Sequence, residues 1–402
     1  MVEPLRSQAP APGGAAGATV EAGRLRPAWA EVDLDAVRAN VGVLAAAAAP
    51  ASVCAVVKAW GYGHGPVEVA AAAVEGGARH LAVALVEEGR QLRDGGITAP
   101  VLLLSEPAPA AMGEVVRAAL TPTVYTEAGL AAVCAAARAA GTTVDVHVKV
   151  DTGMHRVGAA PDRAAALALD VEGRPEVRLQ GLYTHLAVAD EVDDPFTAAQ
   201  LATFEGVVAR LAAAGVRPPL VHAANSAGAL WHPAARFDMV RCGIALYGLA
   251  PSADGAGRGA AARLRPAMSL TARVSYVKQV EAGERLSYGL RYRLAERSTI
   301  ATVPLGYADG VPRALGATGG EVLVGGRRRP IAGTVTMDQI LVDCGPGAEV
   351  ATGDEVVLIG RQGDEVIDAW EWALRTGTIA YEVVCGVGGR VPRTYRGGGV
   401  PR

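Results

Sequence analysis

From about residue 50 to about residue 250, short runs of Val, Leu, Ile and Ala alternate with longer stretches whose apolar residues return every three or four positions. The short runs occupy 53–57, 81–85, 101–104, 122–125, 144–150, 179–184, 219–223 and 240–246, and they predict eight strands. The stretches between them predict helices. One covers 126–140, opened by Thr126 as N-cap and closed by Gly141. Another covers 197–214, with Leu201, Phe204, Val208 and Leu211 along one face. Eight βα units over roughly 200 residues predict an α/β fold built as a (β/α)8 TIM-like barrel, although a doubly wound parallel sheet would give a similar pattern.

Beyond about residue 255 the pattern changes. Residues 254–259 form a Gly-rich linker, and valine-rich runs follow at 270–277, 299–304, 321–324, 330–335 and 355–359, separated by Gly turns and with little helical periodicity. They predict a mainly β C-terminal domain. The chain thus divides into a tail over 1–26, a barrel over 27–254 and a β domain over 255–402. The segment 29–32, ahead of the first barrel strand, could lend an edge strand to the β domain. The tail is rich in Ala, Gly and Pro and lacks both the basic start and the apolar stretch of a secretory signal, so it reads as disordered.

Composition narrows the function classes. Aromatics are only 4% of the residues, so the core must be built from Ala, Val and Leu. A net charge of −3 offers no electrostatic footprint for nucleic acid or an anionic membrane. No apolar run is long enough to span a bilayer. The five cysteines (Cys54, Cys134, Cys242, Cys344 and Cys385) are scattered, with no C-x-x-C pair. That speaks against a disulfide framework or a zinc site and fits a reducing cytoplasm; no metal is expected.

The basic residues are more informative. Three of the 38 are lysine (Lys58, Lys149 and Lys278), and the rest are arginine. Arginine keeps its proton in a protein, whereas a desolvated lysine can lose it and act as nucleophile or base. Lys278 has the context of an ordinary surface residue. Lys58 follows the first predicted strand and enters a turn with Gly61, Gly63 and Gly65. Lys149 ends the fifth strand, with Arg156 just beyond it. In a barrel, functional groups gather at the C-terminal strand ends. There too lie His185 after the sixth strand, Asn225-Ser226 after the seventh, and Arg241 with Cys242-Gly243-Ile244 in the eighth. Glycine turns, a hydroxyl and free backbone N–H groups suit a phosphate. A phosphate cradle, an arginine and a deprotonatable lysine in one mouth suggest pyridoxal phosphate held as a Schiff base. Taken alone, Asn225-Ser226 could equally cap the next helix, and Tyr288 could be only a turn aromatic.

With those residues in view, the chain resembles the alanine racemase family from about residue 27 to 395. The segments that carry the resemblance are AVVKAWGYGHG (55–65), KVDTGMHRVG (149–158), GLYTHLAVADE (181–191), HAANSAG (222–228), VRCGIALYGL (240–249), RLSYG (285–289), VPLGYADGVPRAL (303–315), VTMDQ (335–339) and YEVVCGVGGRVPR (381–393), all in family order. The resemblance implies a fold-type III pyridoxal 5'-phosphate enzyme, a homodimer with shared active sites, that interconverts L- and D-alanine and supplies D-alanine for peptidoglycan. It implies that Lys58 binds the cofactor and serves as base toward the D-enantiomer. Tyr288, from the partner subunit, would serve toward the L-enantiomer, since racemisation needs one acid/base on each face of Cα. It further implies phosphate contacts from Tyr62, Ser226, Gly243, Ile244 and Tyr381, with Asn225 and His185 also in the cofactor site. Arg241 would face the ring nitrogen, where a permanent cation disfavours protonation and keeps the cofactor a weaker electron sink. Arg156 would meet the phenolic oxygen and the substrate carboxylate, oriented by a carbamylated Lys149. Tyr307, Met337 and Asp338 would bound the substrate.

Three positions depart from the family pattern. Trp60 stands where Asn or Asp is common, Thr336 where Cys is frequent, and Gly388-Gly389 where a bulkier pair is usual. They bear on pocket size more than on reaction, so a racemase of broader specificity, acting on serine as well as alanine, is the alternative. Arg241 argues against a related decarboxylase, which gains from an acidic residue at the ring nitrogen. The β domain argues against a barrel-only cofactor carrier.

Overall fold

The computed structural model describes residues 25–397, so nearly all of the predicted tail lies outside the described residues. The first strand, β1 (Ala28–Asp33), runs into a helix over Leu34–Ala48 that Asp33 caps by accepting the Ala36 N–H at 2.9 Å. Eight strands follow in the places the apolar runs predicted: β2 (Ser52–Val56), β3 (His80–Val83), β4 (Val101–Leu103), β5 (Thr123–Val124), β6 (Val144–Lys149), β7 (Val177–Tyr183), β8 (Leu220–His222) and β9 (Met239–Cys242). They pair in parallel in the orders β4-β3-β2-β9 and β5-β6-β7-β8. Backbone bonds from Leu103 N to Thr121 O (2.9 Å) and from Asp238 N to Val221 O (3.0 Å) join the two halves into a ring. The helices between the strands cover the outside, which leaves the strands buried on both faces. In the helix Glu127–Ala140, Thr126 accepts from Gly129 N, and Gly141 closes it at φ 63°, as its caps predicted.

The second part of the chain is mainly β. One sheet runs β16-β15-β18-β10-β1-β20, where β10 is Met268–Arg273, β15 Glu321–Val324, β16 Arg327–Pro330, β18 Glu355–Gln362 and β20 Arg393–Arg396; β19 (Glu365–Ile367) hairpins onto β18. A smaller antiparallel sheet holds β11 (Tyr276–Val280), β14 (Ser298–Val303) and β17 (Ile340–Asp343). The short hairpin of β12 (Arg285–Leu286) and β13 (Tyr292–Arg293) carries Tyr288 at its tip.

Several expectations need correction. The segment expected as an edge strand is interior: β1 lies antiparallel to β10 and parallel to β20, which covers its other side. The predicted run 270–277 breaks between β10 and β11. The run 330–335 stops at Pro330, with one isolated bridge from Ile331 to Val342 beyond it. The eighth barrel strand ends at Cys242, because Gly243 (φ −100°, ψ −96°) turns the chain into a helical turn over Ile244–Tyr247. Two helices, Ala369–Thr376 and Ala380–Gly386, stand in the β domain, and the second sits against the barrel mouth: a Cβ on Gly63 would meet the Val384 carbonyl oxygen at 2.2 Å. No helix among the described residues is long and apolar enough to cross a membrane.

Candidate active site

Lys58 follows β2 and opens an unusual turn. Ala59, Trp60, Gly61 and Tyr62 all sit in the left-handed region, at φ 50°, 55°, 63° and 50°. For the three non-glycine residues that costs about 1–2 kcal/mol each. Two straps offset the cost. The Glu88 carboxylate accepts from Ala59 N (2.7 Å), Ala84 N (2.8 Å) and Leu85 N (3.1 Å), tying the turn to the end of β3. The Arg393 guanidinium lies over the Trp60 ring, 4.4 Å from its centroid, and donates twice to the Gly63 carbonyl at 2.9 and 2.7 Å. Trp60, one of the three positions that depart from the pattern, is thus held by a cation–π contact to the β domain.

The turn delivers Lys58 into a cavity of about 280 Å³ at the C-terminal ends of the strands. Lys58, Tyr62, Lys149, Arg156, His185, Asn225, Ser226, Arg241, Gly243, Ile244 and Tyr381 all line it, together with Val56, Ala84, Leu104, Ser105 and Tyr183, which sequence reasoning did not single out. Four cationic side chains line this cavity and no carboxylate does. Burial, and then Arg156, pull the Lys58 ammonium below its ordinary range. Lys149 is pulled down to about 7, first by burial and then by Arg241, Arg156 and Lys58. Its Nζ donates to the Leu104 carbonyl (3.3 Å) and lies 5.3 Å from the centre of the Tyr183 ring. Arg241, 3% exposed, donates to His222 Nδ1 (2.7 Å), the Thr184 carbonyl (2.8 Å), the Ala223 carbonyl (3.0 Å) and His185 Nδ1 (3.2 Å). Burial and Arg241 hold His185 well below its ordinary pKa, so it is neutral.

At the other end of the cavity Ser226 Oγ accepts from Gly243 N (3.0 Å) and Ala245 N (3.3 Å). Asn225 caps the helix Ser226–Trp231 through Gly228 N while also lining the cavity, so both readings of that pair hold. A Cβ at Gly243 would stand 2.4 Å from the Tyr62 hydroxyl, so only glycine admits that approach. Tyr62 stacks on Tyr247 with ring centres 4.9 Å apart and tilts toward Tyr381.

Four expected residues lie outside the cavity. Tyr288 is 74% exposed, Tyr307 43% and Met337 52%, and Asp338, also exposed, pairs with Arg390 at 2.7 Å. They are linked to one another: Thr334 Oγ1 donates to the Tyr288 carbonyl, Tyr307 N to Thr336 O, and Ala308 N to Met337 O. All four thus stand on the surface of the β domain, with Tyr288 and Tyr307 bonded to the segment 334–338 that carries Met337 and Asp338.

A parallel barrel with desolvated lysines among basic side chains at its mouth, joined to a β domain, has the build of a barrel enzyme with its site at the C-terminal strand ends. Comparison with known proteins narrows this. Residues 32–251 match the alanine racemase N-terminal domain, and residues 267–395 match its C-terminal domain. The chain is 48% identical to the alanine racemase of Symbiobacterium thermophilum over 93% of this chain and 98% of that one. It is 44% identical to that of Desulfovibrio desulfuricans over 92% and 98%. Its fold matches the crystal structure of alanine racemase from D-cycloserine-producing Streptomyces lavendulae with a TM-score of 0.87 at 41% identity, covering 93% and 98% of the two chains. It also matches a histidine racemase from Leuconostoc mesenteroides with a TM-score of 0.85 at 28% identity, over 93% and 99%. The chain belongs to the alanine racemase family, whose members are pyridoxal phosphate-dependent isomerases.

Proposed function

We propose that this protein is a cytoplasmic, homodimeric racemase that interconverts L- and D-alanine with pyridoxal phosphate. The carrying observation is the carboxylate-free cavity in which Lys58, Lys149, Arg156 and Arg241 converge. Four basic side chains with no carboxylate among the lining residues suit an anionic guest, and a phosphorylated aldehyde supplies both the charge and a carbon for a lysine to attack. Tyr62, Ser226, Tyr381 and the backbone of Gly243 and Ile244 would hold the phosphate in the close space that the missing Cβ leaves. Asn225 would brace that end, His185 would flank the ring beside Arg241, and Arg241 would face the ring nitrogen.

When bound, the cofactor supplies the electron sink that makes the alanine Cα proton removable. Lys58 Nζ, its ammonium destabilised by burial, accepts or returns that proton on one face. Tyr288 of a second copy does so on the other face, which gives its exposed hairpin tip a purpose. Arg156 binds the substrate carboxylate. Lys149, with a proton affinity near neutrality, has a free amine fraction able to take up CO2, and the resulting carbamate would orient Arg156. Tyr307, Met337 and Asp338 of the second copy would close the substrate end.

The similarity to a histidine racemase means that the scaffold alone does not fix the side chain accepted. Proton NMR of L-alanine in D2O with the loaded enzyme, with the D-enantiomer read out separately, tests the proposal. Loss of the Cα proton together with appearance of D-alanine is expected. Exchange with serine or histidine and not with alanine would move the protein to another substrate on the same scaffold.

A further inference from the structure

Arg241 is buried, and every acceptor it uses is neutral: two backbone carbonyls, His185 Nδ1 and His222 Nδ1. Among the described residues it forms no ion pair, although buried arginines are ordinarily matched by a carboxylate. An arginine only donates, so His222 Nδ1 must carry a lone pair. The proton of neutral His222 is then on Nε2, which lies 2.9 Å from His147 Nδ1. His147 must accept there, and its own proton is on Nε2. Burial, Arg241 and then His147 hold His222 well below its ordinary pKa, so the ring is neutral, and the Arg241 donor at Nδ1 selects the tautomer. Tyr183 completes the arrangement: the His222 ring stacks on it at 4.7 Å and 5°, and the Arg241 guanidinium lies 4.9 Å over the same ring.

This geometry has a consequence for charge. A carboxylate in the place of His222 would hold Arg241 equally well and cancel its cation. A neutral imidazole holds it and leaves the full positive charge at the cavity. We propose that His222, with its tautomer set by His147, is a positioning residue that keeps Arg241 an uncompensated cation toward the cofactor ring and so favours racemisation over amino-group transfer. The inference rests on the reading of the site given above as a cofactor-dependent racemase. The competing reaction moves the amino group of alanine to the cofactor's aldehyde carbon; alanine is oxidised by two electrons to pyruvate and the cofactor is reduced to its amine form.

Two measurements test it. Nitrogen-15 NMR of histidine-labelled holoenzyme should show His222 and His147 as neutral Nε2–H tautomers at pH 6 as well as pH 8; an Nδ1–H or a doubly protonated ring at either residue would overturn the proposal. That result does not depend on which amino acid the enzyme accepts, so failure of the substrate assignment is distinguishable from failure here. The second measurement compares His222→Asn with His222→Asp, which match in shape and differ by one charge. The Asp variant should raise the ratio of pyruvate formed to alanine racemised by about tenfold or more over the Asn variant. Equal ratios in the two would reduce His222 to a packing role and refute the proposal.

Discussion

Lysine differs from arginine in being able to lose its proton, and two of this chain's three lysines sit where that difference has an effect. Lys58→Ala should abolish the borohydride-reducible attachment of pyridoxal phosphate while leaving the fold intact; a retained adduct would reassign the attachment. Lys149 makes a pH-dependent prediction. Carbamate forms from the neutral amine, and the proton leaves Lys149 near pH 7, so occupancy should rise as pH increases through about 7 and fall progressively as pH drops below it. A carbon-13 signal from labelled CO2, lost in Lys149→Arg, is the check. Both lysines were legible in the sequence because lysine is scarce here and both stand at predicted strand ends. His147 and His222 were not. The strands of a parallel barrel are buried on both faces, so apolar runs do not say which residues point inward. His147 carries one signal in the sequence: it stands two residues before Lys149 and so shares its side of β6.

At the scale of elements, the Lys58 turn shows why local propensity is an incomplete guide. Its glycines predicted a turn, yet the left-handed residues include Ala59, Trp60 and Tyr62, whose conformation is imposed by Glu88 and Arg393, bonded to the turn from 29 and 330 residues away. Glu88→Ala would leave three backbone N–H groups without their acceptor, a loss of about 1–3 kcal/mol for each that stays buried. The expected result is a lower melting temperature and faster cofactor loss, with more effect on cofactor retention than on the residual turnover of loaded enzyme. Unchanged retention would show that Arg393 alone holds the turn. The same long-range dependence explains the misplaced elements. Strand β1 looked like an edge because its outer neighbour, β20, lies more than 350 residues further on. The apolar run of the eighth strand extends past its true end because Ile244, Ala245 and Leu246 are as apolar as a strand, and only the close approach of Tyr62 to Gly243 reveals the bend.

At the scale of the whole molecule, one chain holds two half-sites that do not meet. Lys58 lines a buried cavity, whereas Tyr288 stands at the tip of an exposed hairpin. If the halves combine between subunits, each active site takes its lysine from one chain and its tyrosine from the other. Lys58→Ala and Tyr288→Phe homodimers should each lose racemisation, and dissociating and reassociating an equal mixture should restore it. In a mixed dimer one site carries both lesions and the other neither. With half of the dimers mixed and one of two sites intact in each, the mixture should recover about a quarter of wild-type activity. A tyrosine acting within its own chain predicts no recovery, because every barrel would then lack one base.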